Sequence, residues 1–162
     1  IMNKIKIKSK ELVDKLIEKK LKITSAESCT GGLFAASITS ISGSSGCFEG
    51  SFVTYSNEIK NKIINVKKET LSNFGAVSKE CVIEMAENSR QIMNADISIA
   101  ISGIAGPDGG SEDKPVGLVW ICLSAKNYTK PYKNIFSGDR DKIRESSVIF
   151  ALDLVLDFIK NY

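Results

Sequence analysis

Polar and apolar positions in the first twenty residues follow a helical period. Leu12, Val13, Leu16 and Ile17 form one stripe, with lysines and acids on the opposite face. Ser9 stands just ahead of that stripe, where a helix cap is expected. Residues 22–26 then predict a short strand. Thr30 is placed to cap a second helix carrying Leu33, Phe34 and Ile38, and Ser42-Gly43-Ser44-Ser45-Gly46 reads as a loop. Residues 48–55 alternate poorly but end in aromatic and β-branched residues, so they are read as a strand. A short helix follows, with Asn57 as its expected cap.

The second half is patterned more sharply. Ser78 opens a helix whose stripe is Val82, Met85, Ala86 and Met93, methionines that read as core filling. Residues 97–102 form an apolar strand that runs into Gly103-Ile104-Ala105-Gly106-Pro107-Asp108-Gly109-Gly110. Residues 116–124 give the strongest strand, centred on Val119, Trp120 and Ile121, and 132–136 return beside it through Asn127. From about Asp141 a last helix begins, apolar nearly all round in its C-terminal half and therefore expected to be buried. Helices separate the early strands, and a hairpin closes the strand series. The expected fold is therefore α/β: a three-layer α/β/α domain with a mixed, mostly parallel sheet and a late β-hairpin. Residues 1–162 read as one domain, with Ile1, ahead of Met2, set aside as foreign to the natural start.

Composition narrows the function. The 22 basic residues against 19 acidic leave a charge of +3, dispersed along the chain, which argues against a nucleic-acid partner. No long apolar run or leader is visible, so no membrane partner and a cytoplasmic location are expected. The four cysteines (Cys29, Cys47, Cys81, Cys122) form no C-x-x-C pair, and histidine is absent. Neither a metal nor another cofactor is expected from that supply. Lack of histidine also removes the serine–histidine–carboxylate relay.

Three glycine-bearing loops follow expected strands: 27–32, 102–110 and Ser137-Gly138-Asp139-Arg140. Ligands of open α/β sheets collect beyond the carboxyl ends of strands, so parallel strands would bring these loops to one site. Glycine backbone, a helix N-terminus and the Arg140 fork suit a phosphorylated ligand. Ser28 has three readings: helix cap, phosphate ligand, or nucleophile served by a base and by the amides of Thr30, Gly31 and Gly32 as oxyanion donors. Lys60 is a candidate base, although an ordinary lysine titrates near 10.4 and must be perturbed before it accepts a proton. From spacing alone Lys60 is a solvated lysine on a short helix, and Tyr55 a rim aromatic. Cys29, with Glu27 and Lys60, is a rival nucleophile.

Taken together, Ala26-Glu27-Ser28-Cys29-Thr30-Gly31-Gly32, Tyr55-Ser56-Asn57-Glu58-Ile59-Lys60, Gly75-Ala76-Val77-Ser78, Ser102-Gly103-Ile104-Ala105-Gly106-Pro107-Asp108-Gly109-Gly110, Lys114-Pro115-Val116-Gly117 and Ser137-Gly138-Asp139-Arg140 resemble the CinA C-terminal domain family. The match keeps the family's order over nearly the whole chain and is similar to its stand-alone amidase form. The resemblance implies hydrolysis of the carboxamide of nicotinamide mononucleotide (NMN) to nicotinate mononucleotide and ammonia, in pyridine-nucleotide salvage. It implies Ser28 as nucleophile, Lys60 as base and Tyr55 as a hydroxyl that relays or orients the proton. Ser102 would lie beside the substrate, and Gly103, Gly106 and Arg140 would hold the nucleotide. A homodimer or larger homo-oligomer is implied as well. The alternative is a nucleotide-binding or competence-associated interaction module without turnover.

Overall fold

A computed structural model describes residues 2–162, and Ile1 lies outside them. The chain forms α1 (Met2–Lys19), β1 (Ile23–Glu27), α2 (Leu33–Thr39), a 3-10 turn (Ser44–Gly46), β2 (Phe52–Val53), α3 (Asn57–Ile64), α4 (Lys68–Phe74) and α5 (Lys79–Met93). It continues through β3 (Ile97–Gly103), β4 (Leu118–Ala125), β5 (Tyr128–Ile135) and α6 (Arg140–Ile159). The sheet order is β2-β1-β3-β4-β5. β1 pairs in parallel with β2 and β3, whereas β3–β4 and β4–β5 are antiparallel. Every strand except β4 therefore runs the same way, and the α/β expectation is met, hairpin included.

Helices cover both faces. On one side α1, α2 and α6 pack over Ile23, Ile97, Ile99 and Ile101; on the other, α5 packs over Ala26 and Ala100. The alternation of large and small residues in β3 is what sets this up. Ile97, Ile99 and Ile101 fill one core, and Ser98 and Ala100 let α5 approach closely enough for Ser98 Oγ to donate to Ala86 O. Burial on both faces also explains why β1 shows no polar alternation.

Several boundaries differ from the sequence reading, each for a physical reason. α1 starts about two turns before Ser9, because Ile5 extends the buried stripe upstream among lysines that mask it. Ser9 lies inside the helix, fully buried, and its hydroxyl has no partner among the described residues. α3 is capped by Ser56, whose Oγ accepts from Ile59 N, and not by Asn57. The strand expected over 48–55 shrinks to Phe52–Val53 plus one bridge between Ile23 and Phe48, since an edge strand interrupted by Gly50 pairs on one side only. α4 went unread because its seven residues bury only Thr70 and Leu71, too few to show a period. Its cap comes from α5: Glu84 accepts from Lys67 N at 2.9 Å and from Thr70 Oγ1. Ser78 does cap α5, Asp139 caps α6, and Asn127 takes a positive φ in the β4–β5 turn.

Candidate active site

The loops after β1, β3 and β5 meet at one end of the sheet, as their common direction requires. Ser28 directly follows β1, with 8% of its surface exposed, and its amide donates to Ile101 O at 2.9 Å. Lys60 sits in the first turn of α3 and is 1% exposed. Its Nζ lies 3.0 Å from Ser28 Oγ, 2.8 Å from Thr54 O and 3.3 Å from Tyr55 O. The two carbonyls can only accept, so they hold two of the amine's hydrogens. The remaining contact is Ser28. In the ammonium form it carries a hydrogen, and in the free amine it is the lone pair that accepts one.

Relative to an ordinary lysine, Lys60 is shifted toward the free amine. Burial pushes the Lys60 pKa down, and none of the ion pairs among the described residues involves it. Only the thiols of Cys81 and Cys29 resist that shift, and burial raises each of them to about 11, so both are uncharged near neutrality. The same shift weakens the cysteine rival. Cys29 borders the cavity but is a buried thiol, and Lys60 bonds to Ser28.

The cavity measures about 260 Å³ and is lined by Ser28, Tyr55, Lys60, Ser102, Gly103, Gly106 and Arg140. Thr30, Gly31 and Gly32 are not part of its lining. Thr30 is fully buried and donates to Glu27 Oε1 at 2.7 Å, and the glycines supply the positive φ of the turn (58° and 98°). The start of α2 is not free for an anion either. The Glu27 carboxylate, itself fully buried, already accepts from Phe34 N and Ala35 N at 2.9 and 3.0 Å. Sequence reading placed Glu27 in the cysteine alternative and missed this role, because the bonds reach seven and eight residues forward.

Tyr55 and Arg140 are bonded to each other. The Tyr55 hydroxyl accepts from Arg140 Nη2 at 3.0 Å and makes no hydrogen bond with Lys60 or Ser28; it is the Tyr55 carbonyl that Lys60 meets. Arg140 Nη1 donates to Gly106 O at 2.7 Å, so its guanidinium joins the 103–110 loop to the tyrosine at the cavity mouth. Ser102 Oγ donates to Ala76 O at 2.9 Å and ties β3 to the loop before α5. A Cβ at Gly103 would stand 2.6 Å from Val119, so packing on β4 by itself requires glycine there. Val77 and Asp108, quoted from sequence only within longer motifs and not as site residues, also border the cavity. Among the described residues no cluster of His, Cys, Asp or Glu is arranged to hold a metal, and no helix is long and apolar enough to cross a membrane.

Fold and site define an α/β domain with a buried, uncompensated lysine against a serine at the carboxyl ends of its strands. The chain belongs to the CinA C-terminal domain family, whose model matches residues 6–159. It is 48% identical over 149 residues to a CinA-like protein of Petrotoga mobilis, covering 92% of this chain and 37% of that one. The chain thus spans little more than a third of such longer relatives. It is 50% identical over 141 residues to the nicotinamide-nucleotide amidohydrolase PncC of Shigella flexneri, covering 86% of each. Among solved structures it is similar to the competence/damage inducible protein CihA from Agrobacterium tumefaciens (TM-score 0.93, 36% identity, 95% of this chain and 94% of that one). A CinA superfamily protein from Klebsiella pneumoniae is comparable (TM-score 0.94, 32% identity, 98% and 99% covered).

Proposed function

We propose that the protein is an amidohydrolase that converts NMN to nicotinate mononucleotide and ammonia, with Ser28 as nucleophile and Lys60 as base. The observation that carries this reading is the 3.0 Å approach of Lys60 Nζ to Ser28 Oγ, with two carbonyls holding the amine's other hydrogens. The similarity to a protein named as a nicotinamide-nucleotide amidohydrolase supplies the substrate.

Ser28 Oγ attacks the carboxamide carbon while its proton passes to Lys60. The tetrahedral adduct collapses by breaking the C–N bond, and Lys60 returns the proton to the departing nitrogen, which leaves as ammonia. Water then attacks the acyl ester and gives a proton to Lys60, which passes it to Ser28 Oγ as the ester C–O bond breaks; the carboxylic acid released loses its remaining proton to solvent. One residue moves the proton in both halves, so neither histidine nor metal is needed. Arg140 and Tyr55, at the mouth, are suited to the phosphate end of the substrate. In this arrangement Tyr55 orients substrate and does not relay the serine proton.

Ammonia release from NMN tests the reading. Ser28→Ala and Lys60→Ala should each abolish turnover, since members of one catalytic unit fail together, while Cys29→Ala should keep it. Turnover lost in Cys29→Ala and kept in Ser28→Ala would assign the cysteine instead. Several relatives carry the name "putative competence-damage inducible protein". A binding module without turnover would bind NMN in calorimetry and release no ammonia.

A further inference from the structure

We infer that Glu27 and Arg144 form a two-sided clamp on the turn that carries Ser28, and that Arg144 is a positioning residue for the reaction there. The inference rests on the reading of Ser28 as nucleophile. Neither clamp residue borders the cavity, so neither has a place in binding the substrate directly.

The inner side of the clamp is Glu27. Its buried carboxylate has no cationic partner among the described residues, and it accepts from Ser25 Oγ (3.2 Å), Thr30 Oγ1 (2.7 Å), Phe34 N (2.9 Å) and Ala35 N (3.0 Å). Burying a lone charge is costly, and these four donors offset that cost. In doing so they close residues 28–32 between the end of β1 and the first turn of α2. The outer side is Arg144, in the second turn of α6. Its Nε donates to Cys29 O at 3.1 Å and its Nη2 to Thr30 O at 3.0 Å. A planar guanidinium spans those two successive carbonyls, which a point-charge ammonium cannot do.

Between the two sides the peptide groups around Ser28 are fixed. Its N–H donates to Ile101 O at 2.9 Å, and its carbonyl accepts from Gly31 N at 3.0 Å. The Oγ, by contrast, meets only Lys60 among the described residues. A turn held this firmly around one free hydroxyl aims that hydroxyl. Since Ser28 and Lys60 come from different elements, a shift of the turn would spoil the attack geometry, and a misplacement of about 1 Å costs roughly 100-fold.

The test compares Arg144→Ala, Arg144→Lys and Glu27→Gln with the parent and Ser28→Ala. It measures kcat and KM for NMN, the rate at which a fluorophosphonate labels Ser28, and folding by circular dichroism. Arg144→Ala should fold, keep a KM close to the parent's, and lose about 100-fold in kcat with a parallel loss in labelling rate. Added guanidinium ion should restore part of both, and Arg144→Lys should recover less than the full rate. A folded Arg144→Ala with parental kcat, or a loss confined to KM, overturns the clamp. Should Glu27→Gln fail to fold, the Arg144 variants decide. Failure of the nucleophile reading is separate: it shows as turnover and labelling retained in Ser28→Ala.

Discussion

Lys60 is the residue whose chemistry the fold changes most. Its ordinary pKa of about 10.4 would leave it charged at neutral pH, and burial without a carboxylate partner lowers it. The native state therefore binds fewer protons than the unfolded chain between the lowered value and 10.4. Over that window stability rises with pH, and below it the native state carries the full cost of a buried charge. Replacing Lys60 with Met should remove this dependence. Urea melts of parent and Lys60→Met from pH 7 to 10 should show the parent gaining on the variant as pH rises; parallel curves would contradict a lowered pKa. The ascending limb of kcat/KM for ammonia release should likewise fall below the ordinary lysine range.

At the scale of elements, caps separate what a sequence reader can see from what stays hidden. Ser78 and Asp139 cap α5 and α6 from adjacent positions, and the start of each helix was legible to within a residue or two. α2 and α4 are capped by Glu27 and Glu84, carboxylates at a distance along the chain, so α2 was given the wrong cap and α4 was not seen. Ser9 is the reverse case, a residue that looks like a cap and is buried in mid-helix with its hydroxyl unpartnered. Such a hydroxyl is destabilising, and alanine is the better helix former. Ser9→Ala should raise stability by about 1 kcal/mol, read as a higher urea midpoint at an unchanged slope. A lower midpoint would mean that the hydroxyl is satisfied in solution.

Across the whole molecule, the site is an outcome of layer packing. Lys60 meets Ser28 across 32 residues, Arg140 meets Tyr55 across 85, and Arg144 meets Cys29 across 115. These pairs form because β1, β3 and β5 share a direction, and small residues on β3 leave room for α5 on the face opposite α6. Ala100→Leu should wedge those layers apart and cost about 1–3 kcal/mol, with activity lost in step with the fold when melts and ammonia release are compared; a stability equal to the parent's would show spare room at that face. Although the pairing of Lys60 with Ser28 rested on the family resemblance, the chain by itself determined its helix and strand periods, its glycine loops and its lack of histidine, and with them the α/β class. Those are properties of residue type and spacing. Only the tertiary structure decided that Lys60 is buried without a counter-charge, that the Tyr55 hydroxyl goes to Arg140, and that Glu27 occupies the helix end meant for an anion. Each of these depends on the dielectric and on partners met through space, which spacing along a chain does not encode.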